Sequence, residues 1–95
     1  MLKHSAEIIH GLLSDFLEVV LEDMSLDKPR LLVLRFLINP RTGVLEEDCF
    51  TCYKSKDIPI QFVTKELFWL YHFMLEHRDW KEHLAEYDDF CSNRL

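Results

Sequence analysis

From Ser5 to Met24 large apolar residues recur so densely, with one glycine and no proline among them, that whatever this stretch becomes must be buried on most of its surface. Set on a helical wheel, Ser14, Glu7, Glu18, Gly11, Glu22, His4 and Asp15 share one narrow arc. Ile8, Ile9, Leu12, Leu13, Phe16, Leu17, Val19, Val20, Leu21 and Met24 cover the rest. That apolar arc spans about 220°, roughly twice what a helix lying on one surface requires. The pattern predicts a helix over residues 5–24, with Ser5 as N-cap accepting from the free N–H groups of the first turn. A helix so broadly apolar is either sandwiched between two layers or shared with a second copy of the chain.

A polar link through Ser25, Asp27, Lys28 and Pro29 follows. The run Leu31-Leu32-Val33-Leu34-Arg35-Phe36-Leu37-Ile38 is apolar on both alternating sets except at Arg35. It reads as a central strand buried on both faces. In Asn39-Pro40-Arg41-Thr42-Gly43, proline presets φ and glycine supplies a positive φ, so the chain turns back into a second strand over Val44 to Tyr53. Ile58 to Phe62 reads as a short third strand at an edge, because Pro59 cannot donate to a ladder.

From Thr64 the period is helical again. Leu67, Leu70, Tyr71 and Met74 share a face taken as the core side, whereas Trp80, Leu84, Tyr87 and Cys91 share another, rotated by somewhat over 100° on a single straight helix. The helix therefore breaks near Asp79, which with Glu82 forms a capping-box-like pair. The expected fold is α+β, one domain over residues 1–95: an N-terminal helix, an antiparallel hairpin or three-stranded sheet, then two C-terminal helices, in the order α-β-β-(β)-α-α.

A chain of 95 residues with 48% hydrophobic content can bury a core without staples. Its formal charge of −6, from 17 acidic and 11 basic residues, disfavours direct nucleic-acid binding and favours a basic protein partner. No apolar run approaches a membrane span or a signal-peptide core. Three cysteines, an odd number, then read as free thiols in a cytoplasmic protein.

Cys49 and Cys52 stand in a Cys-x-x-Cys spacing, the one motif here that suggests a metal or redox site. On a strand, residues three apart face opposite ways, so the two sulfurs do not converge on one ion. Zinc needs a turn at Phe50-Thr51, and those are strand-favouring residues. A redox dithiol needs a strand-to-helix junction. Packing is the favoured role for both cysteines.

Glu7-x-x-His10 has the spacing of a di-iron carboxylate bundle, but no second copy exists to complete it. His10 then reads as a boundary residue with a solvated tip. His83 with Glu86 and Tyr87 reads as a surface group. Gly11 and Gly43 are isolated, so no phosphate-cradling loop is present, and no serine sits in a nucleophile-elbow context. The expected chain is non-catalytic and without cofactor.

The remaining candidates are surfaces. Trp69, His72, Phe73 and Glu76, with Trp80, form a stripe on the side of the penultimate helix away from Leu67, Leu70 and Met74; it is either a partner-binding surface or is covered by the terminal helix. Glu46, Glu47 and Asp48 make one acidic cluster. Glu82, Glu86, Asp88 and Asp89 make another at the end of the chain, where negative charge opposes the helix dipole. Together these favour an inhibitor of the immunity, antitoxin or phage host-factor-blocking kind, acting on a basic, nucleic-acid-binding protein. The alternatives are an obligate homodimeric chaperone or assembly adaptor joined through the N-terminal helix, and a metal-binding regulator using Cys49 and Cys52.

Overall fold

The computed structural model describes residues 2–23 and 30–94. Strands β1 (Leu2–His10), β2 (Asp15–Asp23), β3 (Arg30–Ile38) and β4 (Leu45–Lys54) precede helix α1 (Ile60–Glu76), a 3₁₀ helix (Trp80–Glu86) and helix α2 (Tyr87–Arg94). The strands form one antiparallel meander in the order β1-β2-β3-β4.

The expected helix over residues 5–24 is instead the β1–β2 hairpin. Alternation decides it: Leu17, Val19 and Leu21 are buried, while Phe16, Glu18, Val20 and Glu22 sit half-buried on the opposite face. A strand apolar on both faces, forced onto a helical period, spreads its apolar residues over most of the wheel. The over-wide arc was therefore a sign of strand. β-branched Ile8, Ile9, Val19 and Val20 reinforce it. Between the strands, the Gly11 amide donates to the Ser14 carbonyl at 3.1 Å. A Cβ on residue 11 would come within 2.5 Å of that same oxygen, so only glycine fits there. Met24 and the link through Ser25, Asp27, Lys28 and Pro29 lie outside the described residues.

The second hairpin forms as expected. Gly43 has φ 72°, the Gly43 amide donates to the Asn39 carbonyl at 2.8 Å, and Asn39 Nδ2 donates to Glu46 Oε1 at 2.8 Å. β3 is interior to the sheet, but it is covered on one face only. Leu32, Leu34, Phe36 and Ile38 are buried, whereas Leu31, Val33 and Leu37 are half-buried on the open face. Arg35 also lies on that open face, where its Nε donates to Glu18 Oε2 at 2.7 Å. That contact offsets the like-charged Glu7↔Glu18 pairing between β1 and β2.

The expected third strand at Ile58 to Phe62 is absent. Ile58 is buried in the connection, and the chain enters α1 after Pro59, which is extended at φ −72° and ψ 156°. A proline without a donor is as compatible with a helix start as with a strand edge.

α1 faces the sheet with Val63, Glu66, Leu70 and Phe73. Of the expected core face, Leu70 is buried, Leu67 and Met74 are half-buried, and Tyr71 is exposed. The break near Asp79 occurs as expected, but the capping-box pair does not form: Asp79 makes no side-chain cap bond, its carboxylate faces His83, and the Glu82 amide donates to the Asp79 backbone carbonyl at 2.9 Å. The 3₁₀ helix and α2 then lie over β1. Because α2 begins at Tyr87, Asp88 and Asp89 fall in its first turn, where negative charge favours the helix dipole. The expected opposition between those acids and the dipole is thereby reversed. Among the described residues no helix is long and apolar enough to cross a membrane.

Candidate functional site

With the 3₁₀ helix and α2 placed over β1, the helix side of β4 is left open. Phe50 stacks on Phe36 with ring centroids 5.4 Å apart yet stays exposed, as does Val44 at the start of the strand. Between β4 and α1 lies an apolar groove of about 150 Å³ lined by Phe36, Val44, Leu45, Leu70, Tyr71 and Met74. The outer face of α1 continues it. Ile60, Phe68, Tyr71 and Leu75 recur at helical spacing and are 62%, 51%, 44% and 78% exposed. Large apolar side chains exposed along one line are costly in water and are the residues that anchor protein interfaces.

A second constellation is buried. His4 Nε2 lies 3.1 Å from Glu66 Oε2, and the Tyr87 hydroxyl donates to Glu66 Oε1 at 2.8 Å. The His4 backbone amide donates to Asp88 Oδ1 at 2.8 Å. The His4 nitrogen, a Glu66 oxygen and Cys91 Sγ all lie within 4.8 Å of one another. Beside them a cavity of about 20 Å³, lined in part by Lys65 and Trp69, is large enough for one water.

Burial, and secondarily the Glu66 carboxylate, raises both acids of this cluster: Cys91 is pushed up to about 12 and Tyr87 is raised far beyond its ordinary value. An unfolded thiol loses its proton near 9.0, whereas the folded one keeps it. Stability is therefore full below about pH 9 and falls as the pH rises toward 12. Chemical denaturation at stepped pH is expected to show this decline, and Cys91→Ala should make it shallower. Equal slopes for the two proteins would remove the thiol from the account.

The third constellation is at the surface, where the chain leaves α1. His77 and His83 stack with ring centroids 4.5 Å apart. His83 Nδ1 faces Glu86 Oε2 at 3.0 Å and its Nε2 faces Asp79 Oδ2 at 3.2 Å. The bond to Glu86, aided by Asp79, raises the His83 pKa above its ordinary value.

The expected binding residues divide between these places. Phe73 is fully buried, Trp69 and His72 are half-buried, and Trp69 meets Phe90 of α2 at 6.4 Å. The terminal helix thus covers much of the stripe, and the exposed apolar line lies one step around α1. Trp80 is buried and Glu76 is exposed. Glu46 holds the β3–β4 turn, Asp88 the edge of β1, and Glu86 the His83 ring. Glu82 and Asp89 are exposed. Glu47, Asp48 and Cys49 have their backbones in β4, while their side chains lie outside the description. Phe50-Thr51 is strand, and Cys52 is an exposed free thiol, not packing. His10 is exposed and lies 3.2 Å from Asp15.

Phe68 and Leu75 were missed because Tyr71, their neighbour on the helix surface, was assigned to the core side. Assigning Glu66 rather than Tyr71 to the interior would have turned the helix correctly, but a carboxylate gives no such signal in sequence. The joining of His77 to His83 depends on the bend at Arg78 and Asp79. Comparison with protein families, curated proteins and solved structures finds no match to this chain.

Proposed function

We propose that the chain is a non-catalytic protein-binding module that takes an apolar segment of a basic partner along the α1–β4 groove, and that it acts as an inhibitor by occluding that segment. The observation that carries the reading is the exposed line Ile60, Phe68, Tyr71 and Leu75 beside the groove. Charge supports a basic occupant: the chain carries a net −6 from 17 acidic and 11 basic residues. Cytoplasmic residence belongs to the same proposal, supported by the free thiols Cys52 and Cys91.

The test compares the full chain with the Tyr71→Asp/Leu75→Asp double variant, whose substitutions lie at exposed positions and are expected to leave circular dichroism unchanged. A basic protein cross-linked to the parent and then purified is expected to bind the variant at least roughly 30-fold more weakly, equivalent to about 2 kcal/mol. Equal affinity for both would overturn the groove as the binding site.

A second reading rests on a different surface. The open face of the sheet, opposite the buried Leu17, Val19, Leu32 and Leu34, carries Ile9, Phe16, Val20, Val33 and Leu37, all half-buried. Such a face suits a second copy of the chain, and it replaces the N-terminal helix as the route to a homodimer. Light scattering that finds a monomer at micromolar concentration would exclude it.

A further inference from the structure

We propose that His77, Asp79 and His83 form a binding site for a divalent transition-metal ion of the zinc class, with Glu86 holding the His83 ring in place. The ligating atoms of the three residues lie within 4.8 Å of one another. Tetrahedral coordination at about 2.0–2.2 Å puts neighbouring ligand atoms roughly 3.3 Å apart. The 3.2 Å between His83 Nε2 and Asp79 Oδ2 already matches one edge of such a tetrahedron. His77, stacked on His83, supplies the third ligand by a small rotation of its ring.

Glu86 is what distinguishes this group from an ordinary surface cluster. It engages Nδ1 of His83 at 3.0 Å, leaving Nε2 as the ligating nitrogen. This is the carboxylate–histidine–metal arrangement that fixes tautomer and ring direction. Two imidazoles and one carboxylate select zinc, nickel or copper over the hard ions calcium and magnesium, and water completes the fourth position. The site is also placed to matter for the fold. His77 is the C-cap of α1, its amide donating to the Phe73 carbonyl at 2.9 Å, and Asp79 opens the 3₁₀ helix. An ion held by both would fasten the end of α1 to the start of the next helix.

The test is calorimetric titration of Zn²⁺ into the metal-stripped full chain, with thermal unfolding as a second readout. One ion per chain is expected, with a rise in melting temperature and no competition from excess Mg²⁺. Asp79→Asn and His83→Ala should each weaken binding at least ten-fold. Glu86→Gln should weaken it less and leave the stoichiometry unchanged. Co²⁺ in place of zinc should show no thiolate charge-transfer band. Absence of binding overturns the proposal. So does binding that survives His83→Ala but is lost on Cys91→Ser, which places the ion in the buried cluster, or on Cys52→Ser, which places it on β4.

Discussion

Glu66→Ala is expected to lower the free energy of unfolding by about 3–5 kcal/mol, the range for removing one partner of a buried pair. Glu66 is 3% exposed and serves His4 through one oxygen and the Tyr87 hydroxyl through the other. Truncating it strands two buried polar groups, each worth about 1–3 kcal/mol when left unpartnered, and opens a cavity beside an existing one. For a chain of this size the melting temperature should fall by at least about 12 °C. Glu66→Gln keeps an acceptor for Tyr87 and should cost less. Adding Tyr87→Phe to Glu66→Ala should cost less than the sum of the two single changes, because the hydroxyl that lost its acceptor is gone. Urea denaturation measures all four proteins, and a Glu66→Ala loss below about 1 kcal/mol would mean the cluster does not hold the helices to β1.

Two phenylalanines on one helix provide the other large effect. Phe73 is fully buried and meets Tyr87 at 5.3 Å, Phe90 at 5.4 Å and His77 at 4.9 Å, so it joins α1, α2 and the bend between them. Phe73→Ala is expected to cost about 3–5 kcal/mol, whereas Phe68→Ala, at a half-exposed position five residues earlier, should stay within about 1 kcal/mol. The pair also separates stability from binding, since Phe68 belongs to the outer line of α1 and Phe73 does not. Similar losses for the two would mean that α1 is rotated from the placement described.

Those two residues show what the sequence could and could not convey. Both are aromatic, both lie on a helix that the period correctly announced, and nothing local says which faces the sheet. The orientation is set by Glu66, whose burial is affordable only because His4 and Tyr87, both distant in sequence, converge on it. The β3–β4 hairpin was legible because Pro40 and Gly43 fix their own backbone angles. The β1–β2 hairpin was not, because its apolar residues occupy both strand faces and a helical wheel accepts that pattern. Its turn, Gly11 to Ser14, carries two leucines where turn-forming residues would have marked the reversal; Leu12 and Leu13 are 104% and 95% exposed. The His77–Asp79–His83 group was hidden by a bend, since residues six apart in sequence meet only when the chain folds between them.

The bond from the His4 amide to Asp88 has a further consequence. It occupies an outward-facing donor of β1, and the 3₁₀ helix and α2 lie along that side of the molecule. β4 lies at the other end of the sheet, where Phe50 and Tyr53 stay exposed. The two rims are unlike: on one, the protein's own carboxylate occupies the His4 donor that an added strand would need, and the other can accept a strand. Extended growth by strand pairing needs two open rims per molecule. A molecule closed at one end can accept a single added strand or pair β4 to β4 with one copy of itself, and there the addition stops.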